Sequence, residues 1–316
     1  MNELRQFWNH LPFKAYLGVL IAAWVLLFHW RGNTDFGYTD TPSLFRWLWV
    51  NWNGNPDDEI GMFVPLLAGA LLYIRREHWI HRLSSPWIPG LVILLAGIAA
   101  HLLGYMVQQT RLSIIGFLLG LFGILGMIWG WRFLRAAALP LGLLIFMIPF
   151  AALLSPISNP LRRLVTWMAA GFCSSIFNVG VQRNGVLLFD TAGTFQFEVA
   201  PACSGINSLT AMFLLTVAYS FLNLKTGWRR LLLIACAIPL AVLSNWVRLV
   251  TIIVVADSFG QKHAAAIENK FGFITFLVGL AGVFSIGWLL REPNVTPGLA
   301  PQVGTPCDVE TPRHLA

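Results

Sequence analysis

The sequence predicts an all-α polytopic membrane protein with about eight transmembrane helices, plus a small amphipathic helix and a β-hairpin outside the bilayer. Three observations lead there. The chain is 57% hydrophobic and only 11% charged, with a mean hydropathy of +0.68, an apolar excess that a soluble chain of 316 residues would have to expose. Its apolar residues come in runs close to the roughly 20 residues that cross hydrocarbon as a helix. Its 21 Lys and Arg residues lie in short clusters between those runs rather than on one face. That pattern suits loops at a membrane surface and argues against a nucleic-acid partner, despite the formal charge of +7.

Eight spans are read at 14–30, 60–74, 87–107, 113–131, 136–154, 203–223, 230–254 and 271–290. The second is short for a crossing. The first is too long and aromatic for a cleavable signal, and no small-residue cleavage site follows it. Orientation follows from where the cations fall. Arg75, Arg76, Arg82, Arg132, Arg135, Lys225, Arg229, Arg230 and Arg291 follow the even-numbered spans, whereas the first opposite loops carry Asp35, Asp40, Asp57, Asp58 and Glu59. Both termini are therefore expected in the cytoplasm. Residues 1–13 form a short N-terminus, 14–290 the membrane domain, and 291–316 a disordered cytoplasmic tail rich in Pro, Gly and Thr.

The one large extracytoplasmic segment is 155–202. It opens with SPISNP, read as a helix stop. Leu161, Leu164, Val165, Met168, Phe172 and Ile176 then recur at helical spacing, with Arg162, Arg163 and Thr166 on the other face. Such a helix is expected to lie along the membrane surface. Asn184-Gly185 and Ala192-Gly193 mark turns between short β-favouring runs, so a hairpin is expected to deliver the chain to Cys203.

Three residues that a membrane segment disfavours then fall on the same outer side: Cys203 at the start of span six, Arg248 in the outer part of span seven, and His263 in the loop beyond. A thiol is a poor nucleophile at neutral pH, and a helix N-terminus or a neighbouring cation lowers its pKa. Backbone N–H groups at Ser204, Gly205 and Ile206 are placed to hold an oxyanion beside the sulfur. His263 has the chemistry of a proton relay. Arg248 stays charged, which suits stabilising an oxyanion or clamping a carboxylate, with Asn245 three residues earlier to orient it. Cys236 reads as a small apolar filler, and a Cys173–Cys203 disulfide is the alternative that would abolish the nucleophile. His29, His78, His81 and His101 read as interface residues. With no CxxC and no paired His spacing, no metal and no cofactor is expected.

The motif PACSGIN around Cys203, the following NWVR with Asn245 and Arg248, and His263 some fifteen residues later resemble the exosortase/archaeosortase family, over roughly residues 60–290. The resemblance implies a membrane-embedded cysteine transpeptidase or protease with Cys203, Arg248 and His263 as its Cys, Arg and His. It implies substrates anchored in the membrane and ending in a PEP-CTERM-type signal: a short motif, a transmembrane helix and a basic tail. The protein would be transferred to an acceptor, lipid- or polysaccharide-linked, at the outer face of a bacterial cytoplasmic membrane. Gly116, Gly120, Gly123 and Gly126 offer either a close approach for the substrate helix or plain packing. The rival class is a non-catalytic transporter or scaffold in which Arg248 binds an anion. No internal repeat relates the two halves of the chain, which counts against it.

Overall fold

The computed structural model describes residues 12–35, 39–55, 57–185, 187–190, 196–198 and 206–292. The fold is mostly helical. Helices α1 (Lys14–Arg31) and α2 (Leu44–Gly54), a 3-10 turn (Glu59–Met62), and helices α3 (Val64–Ile74) and α4 (Arg76–Ile80) open the chain. They are followed by α5 (Pro89–Val107), α6 (Thr110–Ala136), α7 (Ala138–Leu143), a second 3-10 turn (Leu144–Met147) and α8 (Ala151–Ile176). Strands β1 (Val181–Asn184), β2 (Leu187–Asp190) and β3 (Gln196–Glu198) precede α9 (Ile206–Asn223), α10 (Gly227–Phe259) and α11 (Gln261–Leu289).

Among the described residues, four segments are long and apolar enough to cross a membrane: Pro89–Val107, Thr110–Ala136, Gly227–Phe259 and Gly272–Leu289. Val64–Ile74, Ala138–Met147 and Ser208–Asn223 are shorter apolar helices. Eight full spans are thus not confirmed, and the four segments found fall on the expected spans 87–107, 113–131, 230–254 and 271–290. The clearest departure is 136–154, which is not one helix: it breaks after α7 into a 3-10 turn and then an extended residue at Ile148. Helix α2, which the sequence reading left inside a loop, is the other. Its Trp47, Leu48 and Trp52 are buried, and the Trp52 indole N–H donates to the Met147 carbonyl. Trp47 and Trp52 are thus part of the core.

The glycine-rich face of α6 is fully occupied. A Cβ on Gly97 of α5 would stand 2.7 Å from the Gly116 carbonyl oxygen and the Gly120 nitrogen, so the two backbones are in direct contact. The Trp24 indole covers Gly120, and Leu134 and Trp87 cover Gly126. These glycines serve packing within the chain and leave no seat for a substrate helix. At Gly130 φ is +80°, and α6 breaks where the Ser84–Ser85 segment passes too close for any side chain.

The two ends of the bundle differ in character. At one end Arg75 donates to the Phe221 carbonyl, Arg230 to Leu224 and Arg229 to Leu290, so cations meet the last carbonyls of α9 and α11. The Trp129 indole donates to the Pro12 carbonyl at this same end.

The other end carries the sheet. Its strands form an antiparallel meander in the order β1-β2-β3, with Asn184 opposite Leu187 across the turn at Gly185, where φ is +65°. The Asn184-Gly185 turn is as expected; Ala192-Gly193 lies outside the described residues, as do 1–11 and 293–316. Leu188 of β2 packs into a cluster with Val165, Ala169 and Cys173 of α8, Ile253 and Ala256 of α10 and Ala264 of α11. Gln261 donates to the Gln196 carbonyl at 2.8 Å, closing the sheet onto the α10–α11 hairpin.

Helix α8 corrects one expectation. It begins at Ala151 and runs through Pro156 and Pro160, so SPISNP does not stop it. Val165, Thr166, Ala169 and Cys173 face inward and the Arg162 Nε is shielded from solvent, while Arg163 and the apolar Leu164, Trp167, Met168, Phe172 and Ile176 are exposed. An exposed apolar stripe of this kind suits a helix lying against lipid.

Candidate functional site

Arg248 sits where α9, α10 and α11 meet. The meeting point is fixed one turn away: a Cβ on Gly279 of α11 would fall 2.5 Å from Met212 Cε and 3.2 Å from Ser244 Cβ. The Ser244 hydroxyl donates to the Thr275 carbonyl, joining α10 to α11. One turn toward the sheet end, Arg248 follows Ser244 on α10 and faces Gly272 on α11. A Cβ on Gly272 would stand 3.0 Å from the guanidinium carbon, 3.1 Å from Nη1 and 3.3 Å from Nε. Arg248 is half-buried, and the neighbouring α9 begins at Ile206.

Asn245 is buried on the core side of α10, three residues before Arg248, and both side chains are engaged in polar or electrostatic contacts. Cys203, Ser204 and Gly205 lie outside the described residues. Cys173 is a free thiol and fully buried; burial first, and Asp257 second, push its pKa up to about 11. It forms no disulfide, and such a thiol stays protonated at neutral pH. Cys236 is also free.

His263 stands apart from Arg248. It is exposed in the first turn of α11, and its Nδ1 donates to the Phe259 carbonyl oxygen at 2.7 Å. A carbonyl only accepts, so this bond leaves Nε2 facing outward. The nine residues from His263 to Gly272 amount to about 13 Å along the helix axis and about half a revolution around it. The structure therefore seats Arg248 against Gly272 of α11 and leaves His263 at the hairpin apex.

Sequence reasoning missed three contributors. Gly272 carried no signal among many glycines. Thr275, whose hydroxyl donates to the Gly272 carbonyl at 3.2 Å, looked like an ordinary span residue. Arg162 was read only as part of the polar face of α8; Asp57, near it, is held above the usual carboxylate range by burial, with Arg162 opposing and Asp58 adding to the rise. His101 was read as an interface residue but is buried in a polar chain, its Nδ1 2.7 Å from the Ser113 hydroxyl, which in turn donates to the Gly32 carbonyl.

The helical membrane architecture, with an arginine seated at a three-helix junction, can be set beside known families. The model described as transmembrane exosortase (Exosortase_EpsH) matches residues 49–285. The chain belongs to the exosortase family. The match spans α3 to α11 and takes in the sheet, the α9 N-terminal turn and Arg248. No curated protein and no solved structure matches significantly. As a multi-pass exosortase-family protein, the chain is of a kind that suggests a membrane sorting transpeptidase.

Proposed function

We propose that this exosortase-family chain is a cysteine transpeptidase or protease that cleaves a C-terminal sorting signal at the outer face of the bacterial cytoplasmic membrane and passes the protein to an acceptor. The observation that carries the reading is Arg248, a half-buried guanidinium laid against Gly272 of α11 on a helix that packs against α9, which begins three residues after Cys203 in the sequence. In this reading the Cys203 thiolate attacks the scissile carbonyl. The N–H groups of Ser204, Gly205 and Ile206, together with Arg248, hold the resulting oxyanion. The C–N bond breaks, the leaving amine takes a proton, and the thioester is resolved by the acceptor or by water.

His263 is the proton carrier of the proposal and the member that the geometry supports least, since its ring lies at the hairpin apex. Asn245 steadies Arg248. The substrates are membrane-anchored proteins ending in a motif of PEP-CTERM type, an apolar helix and a basic tail, and the acceptor is lipid- or polysaccharide-linked. No metal or cofactor takes part.

The test is sidedness and reactivity together. In intact cells a membrane-impermeant maleimide should label Cys203 in a background lacking Cys173, Cys236 and Cys307, and a cysteine placed at Lys225 should stay unlabelled. An inert Cys203, or labelling at Lys225 from outside, would overturn the proposal.

A further inference from the structure

We propose that Gly272 is the positioning residue of Arg248: its bare Cα is the seat on which the guanidinium lies, and it sets where that group points. The inference rests on the reading of Arg248 as the cation that serves Cys203.

Three atoms of one planar group, the guanidinium carbon, Nη1 and Nε, stand 3.0, 3.1 and 3.3 Å from the place a Cβ on Gly272 would take. A side chain there meets the guanidinium as a whole rather than one edge of it. The backbone beneath cannot retreat easily. The Thr275 hydroxyl holds the Gly272 carbonyl, the Ser244 hydroxyl holds the Thr275 carbonyl, and Gly279 is pressed between Met212 and Ser244 one turn farther on. Arg248 is the flexible partner, so Arg248 is the group that moves.

Other helical glycines behave differently. Gly18, Gly69 and Gly171 have open space around the Cβ position, and Gly282, on the same helix as Gly272, faces only the Leu240 methyls, at 3.3 and 3.6 Å. Gly272 alone among these five meets a charged group. Since alanine and valine both favour a helix more than glycine does, a purely structural role predicts no loss of helix stability from the substitution. A positioning role predicts a folded protein with a displaced cation, the displacement being larger for valine than for alanine.

The experiment uses the full chain in native membranes, with Cys203 as its sole cysteine and iodoacetamide as the probe. The alkylation rate is followed against pH in wild type, Gly272→Ala, Gly272→Val, Arg248→Gln, Gly282→Val and the Gly272→Val/Arg248→Gln double variant. The expected result is that Arg248→Gln moves the alkylation midpoint upward by about one unit or more, as loss of a nearby opposite charge does. Gly272→Val moves it the same way, Gly272→Ala moves it less, and Gly282→Val leaves it in place. In the double variant Gly272→Val adds nothing, because the group it displaces is gone.

If Gly272→Val leaves the midpoint at the wild-type value while Arg248→Gln shifts it, the positioning role is wrong and the reading of Arg248 stands. If Arg248→Gln itself shifts nothing, the reading of Arg248 fails and the inference falls with it. Should Gly272→Val fail to accumulate, the accumulation of the double variant decides: recovery supports a clash with the guanidinium, and continued loss overturns it.

Discussion

Gln261 donates its side-chain N–H to the Gln196 carbonyl oxygen at 2.8 Å, which ties the apex of the α10–α11 hairpin to the strand that leads toward Cys203. The bond is exposed and therefore worth about 1 kcal/mol at most. Gln261→Ala should accordingly reduce processing of a co-expressed substrate by no more than about fivefold, with unchanged protein level. A complete loss would show that the apex carries more of the site than this one bond.

The chemical proposal ranks Cys203 and Arg248. Cys203→Ala should abolish processing, and Cys203→Ser should nearly do so, because an alcohol ionises far less readily than a thiol at the same place. Arg248→Lys keeps the charge but loses the planar donor fork, and should cost on the order of a hundred- to a thousandfold in turnover if that group holds an oxyanion. Full activity of Arg248→Lys beside a dead Cys203→Ala would make Arg248 a structural charge, leaving the backbone N–H groups after Cys203 to hold the oxyanion alone.

His263→Ala should lose the proton relay yet keep substrate binding, so that uncleaved substrate co-purifies with the variant. Processing at the wild-type rate would remove His263 from the site.

Asp57 supplies a pH dependence whose sign is set by burial. Its carboxyl is raised chiefly by desolvation, with Arg162 opposing. A folded-state pKa above the unfolded value contributes stability at low pH that is lost as pH rises through the folded pKa. Thermal unfolding in detergent should therefore show wild type losing stability relative to Asp57→Asn as pH rises from acidic toward neutral. Arg162→Gln should extend that window to higher pH, because it removes the charge that favours the carboxylate. A wild type that gains on Asp57→Asn over the same range would reverse the assignment.

Much of the fold was legible because membrane insertion writes itself into composition. Apolar runs predicted α5, α6, α10 and α11, turn chemistry at Asn184-Gly185 predicted the first hairpin, and the scatter of cations predicted a basic end, where Arg75, Arg229 and Arg230 meet helix carbonyls. The family was legible in PACSGIN and NWVR, since a cysteine ahead of a hydrophobic helix and an arginine inside one are costly and therefore informative. What only tertiary structure decided is where surfaces face. Hydrophobic periodicity says that α8 has two faces but cannot say what packs against them, so the burial of Thr166 and the shielding of the Arg162 Nε came only from the packed structure. Nor can spacing say that His263 and Gly272 lie on opposite sides of one helix relative to Arg248 until α10 and α11 are packed together. A glycine has no side chain to announce a contact, and Gly272 acquires its meaning only from the guanidinium laid across it.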